Sequence, residues 1–147
     1  MARAYWLMKS EPFKYPWETL VRDGRTYWDG VRNYEARNNL AAMRRGDLAL
    51  FYHSNEGKEV VGVVEIVKES YPDPTTDDPA WVVVDVEPCS PLPKPVSLAT
   101  IKSDPELKEI ALIRRSRLSV VPLTPAEFER ILVLGGTTLA KAKRRTA

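Results

Sequence analysis

The sequence contains a single cysteine, Cys89, and a single histidine, His53. One thiol cannot form an internal disulfide, and one thiol with one imidazole cannot supply the ligand set of a zinc cluster. The same scarcity works against nucleophilic catalysis, because Cys89 lies in a proline-rich stretch remote from His53 in sequence. His53 itself ends the apolar run Leu48-Ala49-Leu50-Phe51-Tyr52, which favours a structural or binding role over a catalytic one. The carboxylate pairs Asp29 with Glu35 and Asp77 with Asp78 show no catalytic pattern, and neither G-x-x-x-x-G-K-[ST] nor G-x-G-x-x-G is present. No catalytic residue, metal ligand or cofactor is assigned, and the chain is expected not to be an enzyme. Long apolar runs are missing as well. The longest, Val60-Val61-Gly62-Val63-Val64, is far too short to cross a bilayer, and the segment Met1 to Trp6 lacks the features of a signal peptide. The expectation is an intracellular, cytoplasmic monomer without a membrane partner.

What remains is ample for one core: 147 residues, 44% of them hydrophobic. The net charge of +2 conceals a strong division along the chain. Residues 1–45 carry nine Lys/Arg against five Asp/Glu, whereas residues 46–113 carry five against thirteen. Residues 114–136 carry four against two, and the last eleven residues carry four basic and no acidic side chains. A polyanion would therefore bind a surface assembled from the first third and the Arg114-Arg115-Ser116-Arg117 stretch. Scattered charge that merely keeps the domain soluble is the competing explanation.

Periodicity and turn signals predict a strand over 4–8, a short helix over 16–21 and a helix from Asn33 to Met43, with Asn33 as its N-cap and Gly46 past its end. Strands at 47–53 and 60–67 flank Ser54-Asn55-Glu56-Gly57-Lys58, a hairpin signal. The second strand is apolar on both faces around Gly62, as in a curled or closed sheet. A loop over 71–79, a strand over 81–87, a proline-rich loop over 88–95, helical turns around 98–101 and 106–110 and a strand over 118–121 follow. Thr124-Pro125-Ala126-Glu127 is a capping box opening a helix through Val133. The fold class is α+β, a small mixed β-barrel with flanking helices, spanning residues 1–136; residues 137–147 read as a basic, disordered tail.

Aromatic residues crowd the basic first third: Trp6, Tyr27, Trp28, Tyr34, Phe51 and Tyr52 interleave with Arg3, Lys9, Arg22, Arg25, Arg32, Arg37, Arg44 and Arg45. A nucleobase offers a face to stack on, polar edges to hydrogen-bond and a phosphate that needs a cation, and this mixture meets all three demands. Trp6, Phe51 and Trp81 lie on apolar alternating stretches and are expected in the core. Trp28 differs, because Tyr27-Trp28-Asp29-Gly30-Val31-Arg32-Asn33 reads as a loop just before a helix N-terminus, where binding residues gather.

At these residues the sequence resembles the EVE domain family, a branch of the PUA-like fold akin to YTH domains. The matching segments are YWLMKSEP (5–12), WDGVRNYEARNNL (28–40), GDLALFYHSN (46–55), VGVVEIV (61–67), YPDPT (71–75) and SRLSVVPLT (116–124), which cover nearly the whole chain in order. The resemblance implies a PUA-like fold and a module that reads a flipped-out, modified nucleobase in an aromatic pocket, in DNA or RNA. It implies that Ser10, Trp28, Asp29, Gly30, Val31, Asn33, Tyr52, His53 and Ser116 form the base pocket. Trp28 would be the cage tryptophan, Asp29 to Val31 the wall behind it and Asn33 an edge reader. Lys9, Arg32, Arg115 and Arg117 would meet the phosphate backbone. Ser116 stands where YTH domains carry aspartate, so an acceptor-only group becomes a hydroxyl that also donates, and specificity for N6-methyladenine does not carry over. A protein-interaction module and, more remotely, an enzyme acting on a nucleobase are the alternatives; a large exposed apolar patch would favour the first, and a perturbed acid or base inside a pocket the second.

Overall fold

A computed structural model describes residues 3–140. Strand β1 (Tyr5–Ser10) lies between β3 (Leu48–His53), to which it runs parallel, and β6 (Val120–Leu123), to which it runs antiparallel. The parallel pairing sets Lys9 opposite Tyr52 and Ser10 opposite His53. β3 turns through a hairpin into β4 (Glu59–Pro72), β4 pairs antiparallel with β5 (Val82–Ser97), and the two-residue β2 (Thr26–Tyr27) edges β5. The sheet order is β2-β5-β4-β3-β1-β6.

The α+β architecture stands, but the expected closed barrel does not form: β2 and β6 are separate edges of one six-stranded sheet. Both edge strands are short, with two and four residues. Helix α2 (Tyr34–Ala42) packs against β5 and β6, occupying space near both ends of the sheet instead of leaving it to a strand-to-strand seam. Asn33 caps α2 as expected, its Oδ1 accepting from Ala36 N at 3.0 Å. The Thr124–Glu127 capping box opens α5 (Pro125–Leu134), whose buried face carries Phe128, Ile131 and Leu132.

Two stretches expected to be loops are strand. β4 continues past Val67 to Pro72, and β5 runs through the prolines to Ser97. Pro93 and Pro95 survive in a strand because the ladder slips there. Val60 pairs with Val96 and Gly62 with Pro91, so the residues between them owe β4 no regular set of donors. On the other edge, Lys94 N donates to Gly135 O at 3.0 Å, tying β5 to the end of α5. Gly62 answers a packing demand. A Cβ there would lie 2.5 Å from the ring of Trp17 on helix α1 (Trp17–Asp23), so the strand can pass under the indole only as glycine.

Trp6 and Phe51 are in the core, as expected. Trp81 is not: it is half-buried just before β5, its ring 4.9 Å from that of Tyr34 and under the Arg32 guanidinium at 5.6 Å. Small α-helical elements at Leu98–Ser103 (α3) and Ala111–Arg114 (α4), with a 3-10 turn at Pro105–Leu107, lead into β6. Of the stretch set aside as a tail, Thr137 is buried, donates its N–H to Leu132 O at 2.9 Å, and is followed by Leu139 packed against the core. Residues 141–147 lie outside the described residues. Among the described residues no helix is long and apolar enough to cross a membrane.

Candidate nucleic-acid interface

Four segments converge beyond the end of β1. Lys9 comes from that strand, and its N–H donates to Ser119 O at 2.9 Å, which draws the segment 116–119 alongside. The parallel partner β3 delivers the hairpin turn Ser54-Asn55, whose Ser54 N–H donates to Ser10 O at 2.9 Å. The fourth segment is the loop from Trp28 to Val31. Between them opens a cleft of about 620 Å3, lined by Lys9, Glu11, Lys14, Trp28, Asp29, Gly30, Val31, Ser54, Asn55, Ser116, Arg117 and Ser119. Its size is that of a small-ligand site.

The aromatic wall is held rigidly. Trp28 N donates to Val84 O at 2.8 Å, and the indole meets Phe51 edge-on with ring centres 5.5 Å apart and planes at 87°. Only 8% of the residue is exposed, so Trp28 is a fixed wall and not a projecting platform. Behind it, Gly30 takes a positive φ of 78°, a conformation that glycine adopts without strain. The loop is anchored on Asp73, whose side chain is 0% exposed. Its carboxylate accepts from Thr75 Oγ1 at 2.5 Å, Thr75 N at 2.7 Å, Arg32 Nη1 at 3.0 Å and, more loosely, Gly30 N at 3.4 Å. Burial alone would raise the Asp73 pKa, but the hydrogen bonds from Thr75, Arg32 and Gly30 outweigh it and hold the carboxyl below its ordinary value.

Most cations here already have a partner. Lys9 Nζ donates to Ser116 O at 2.8 Å, and burial pulls its pKa down. Lys14 pairs with Glu11 at 3.2 Å, and the same carboxylate accepts from Asn55 Nδ2 at 2.6 Å. Next to the main cleft lies a smaller one of about 270 Å3, lined by Asn33 and residues 114–118. There Arg115 forks onto Glu35, Nη1 reaching Oε2 at 2.6 Å and Nη2 reaching Oε1. Arg114 is drawn to Glu109. Arg117 lines both clefts and makes no ion pair or hydrogen bond with the described residues.

Of the residues singled out from the sequence, Lys9, Trp28, Asp29, Gly30, Val31, Ser116 and Arg117 line the main cleft, and Asn33 and Arg115 line the smaller one beside it. Four do not line either. Strand alternation turns Ser10 away from Lys9, and its Oγ donates to Tyr15 O at 2.7 Å, closing the β1–α1 turn. Tyr52 is buried in the core, where burial raises its pKa. His53 Nε2 accepts from Trp17 N at 3.1 Å at the start of α1, and its pKa is lowered, chiefly by burial. Arg32 is taken up by Asp73, its Nη1 donating to Asp73 Oδ2 at 3.0 Å and to Val31 O at 3.1 Å. Sequence reading missed Glu11, Lys14, Ser54, Asn55 and Ser119. The hairpin signal located Ser54 and Asn55 as a turn, but only the parallel β1–β3 pairing reveals that this turn faces the Trp28 loop. Asp73, too, sat in a stretch read as loop from composition alone.

Comparison with known proteins completes the description. The model of the EVE domain matches residues 4–134. Human thymocyte nuclear protein 1 is 39% identical over 89% of this chain and 73% of its own length. A crystal structure of a protein from Agrobacterium tumefaciens superposes with a TM-score of 0.90 at 47% identity, covering 91% of this chain and 94% of that one. The crystal structure of human THYN1 protein in complex with 5-methylcytosine-containing DNA superposes with a TM-score of 0.84 at 38% identity, covering 90% and 97%. At 15% identity and a TM-score of 0.54, the YTH domain of Zygosaccharomyces rouxii MRB1, covering 90% and 86%, shares the fold.

Proposed function

The chain belongs to the EVE domain family, and from that membership we propose that it binds nucleic acid by taking one modified, flipped-out base into the cleft beside Trp28. The observation that carries this reading is the rigid indole forming one wall of a cleft with cations around its mouth. Phe51 and the Trp28–Val84 hydrogen bond fix the ring before any ligand arrives, so stacking a base costs no reordering of the wall. The backbone of Gly30 and Val31 and the hydroxyls of Ser54, Ser116 and Ser119 line the same cleft and offer donors and acceptors to the base edge. Arg117, Lys14 and, from the smaller cleft, Arg115 supply positive charge for phosphate. A methyl group on the base gains from burial against Val31 and the indole. The reading is one of binding without chemistry, since the lone histidine is occupied in holding α1, and Lys9, the cleft amine whose pKa burial lowers, is held on the Ser116 carbonyl with no acid, base or nucleophile partner assigned to it. The complex of the human THYN1 protein with 5-methylcytosine-containing DNA makes that modification the first ligand to try.

The test is a titration of the whole chain with 5-methylcytosine-containing and unmodified DNA of the same sequence, followed by fluorescence anisotropy. The modified strand should bind more tightly. Stacking on an aromatic side chain contributes roughly 1–3 kcal/mol per base, so Trp28→Ala should weaken binding by about one to two decades. Because the indole also fills core space, Trp28→Phe serves as the folded control and should lose less. A folded Trp28→Ala protein that binds like the wild type refutes the reading.

A further inference from the structure

The main cleft does not end at Trp28. A second cleft of about 340 Å3 adjoins it, formed by Tyr15, Thr26 and Tyr27 and sharing Lys9, Lys14, Trp28 and Asp29 with the first. The volume again suits a small planar group. Three of its lining residues are aromatic, and one of them, Tyr27, is 43% exposed on the edge strand β2, with its backbone set by pairing with Asp85. Tyr15 is kept in place by its hydroxyl, which donates to Asp23 Oδ2 at 2.9 Å. An exposed tyrosine on a rigid strand, next to a cleft already suited to one base, is a stacking surface in search of a second.

We infer that this second cleft receives the nucleotide next to the read base in the same strand, with Tyr27 stacking on it. The inference rests on the base-reading proposal and adds its substrate class: a strand segment of at least two nucleotides, not an isolated nucleoside. Two observations select a nucleotide of the same strand. The clefts lie side by side, sharing Lys9, Lys14, Trp28 and Asp29, so consecutive bases can fill them without the chain leaving the surface. Charge is arranged for a phosphate at the junction as well. The Lys14 side chain is 69% exposed there, and its salt bridge to Glu11 at 3.2 Å is one that a phosphate oxygen can replace. Asp29, shared by both clefts, repels a phosphate on its own side and so directs the backbone toward Lys14.

The experiment compares two single-stranded trinucleotides carrying 5-methylcytosine at the centre, one with thymine neighbours and one with abasic neighbours. Wild-type chain should bind the thymine-flanked strand about tenfold more tightly, as one added stacking contact predicts. Tyr27→Ala should bring that ratio close to one while leaving affinity for the abasic-flanked strand unchanged, and Tyr27→Phe should restore it. A wild-type ratio of one overturns the inference and needs no variant to be read. So does a ratio that persists in folded Tyr27→Ala, or a preference that appears only in duplex DNA, which would assign the cleft to the opposite strand. Failure of the base-reading proposal gives a different signature: Trp28→Ala would leave binding of the abasic-flanked strand untouched.

Discussion

Removing the Asp73 carboxylate should loosen both the fold and the Trp28 loop. The side chain is wholly buried and accepts four hydrogen bonds, two from Thr75, one from Arg32 and one from Gly30. Breaking a fully buried ion pair by deleting one partner costs about 3–5 kcal/mol, because the survivor is left charged and unpaired. Here the surviving Arg32 side chain is 40% exposed and recovers water, which moves the cost toward the range of a charged hydrogen bond. For Asp73→Ala we expect a loss of about 2–3 kcal/mol, and for Asp73→Asn, which keeps one acceptor for Thr75, about 1–2 kcal/mol. In a domain of this size the alanine variant should melt roughly 4–12 °C lower. Urea unfolding with an unchanged m-value measures the loss directly.

The pH dependence gives an independent check. The folded-state pKa of Asp73 is lowered, so its contribution is complete above the unfolded-state value and disappears as pH falls through the lower folded-state value. The stability gap between wild type and Asp73→Asn should therefore be widest near neutrality and narrow on acidification. Because the carboxylate also steadies the loop behind Trp28, Asp73→Ala should weaken base binding although Asp73 lines neither the main cleft nor the two beside it. A loss below about 0.5 kcal/mol, the usual scale of an unremarkable surface change, would refute the hub argument. A gap that grows toward acid would refute the sign of the linkage.

Two further outcomes follow from other parts of the fold. Gly62→Ala sets a methyl 2.5 Å from the Trp17 ring and should destabilise by about 1–3 kcal/mol, as overpacking does; a thermal melt unchanged from wild type would show that α1 yields freely. Arg115→Ala should weaken oligonucleotide binding severalfold at low salt and reduce the salt slope by about one, without affecting free nucleoside, while Glu35→Gln should strengthen it by freeing the guanidinium; equal loss for nucleoside and oligonucleotide would move Arg115 into the base site.

Local signals in the sequence were the ones that survived into the structure. Asn33 as an N-cap, the Thr124–Glu127 box and the tight hairpin are set by neighbours a few residues away, and each is where the chemistry of its own side chain places it. Trp28 and Gly30 lie, as their neighbours suggested, in a loop before a helix and line the cleft, while their roles as cage and wall are what the family resemblance implies. Closure of the sheet was not legible, because whether β2 meets β6 depends on packing between elements far apart in the chain, such as α2 against β5 and β6. Prolines at 91, 93 and 95 argued for a loop because each removes a donor, and the slipped ladder between β4 and β5 makes the donors at 93 and 95 unnecessary. Ser10 fell outside the cleft for a simpler reason: it follows Lys9 in a strand, where adjacent residues point to opposite sides. Arg32 is claimed by the buried Asp73, a partner 41 residues away in sequence.

The charge division along the sequence takes on a different meaning once the partners are known. Counting cations in the first third and in 114–117 suggests a surface that binds any polyanion, with a correspondingly steep salt dependence. Yet Lys9 is bound to the Ser116 carbonyl, Lys14 to Glu11, Arg32 to Asp73 and Arg115 to Glu35, while Arg117 makes no such bond with the described residues. A phosphate arriving at Lys14 or Arg115 must displace a carboxylate, so its gain is the difference between two ion pairs and not the whole of one. Phosphate contact is thereby made a weak contributor, and discrimination falls to the uncharged part of the site, where Trp28 is already fixed by Phe51 and Val84 before a base enters. On the proposed reading, a surface that holds its cations back in this way should bind plain nucleic acid poorly and leave the base in the cleft to decide affinity.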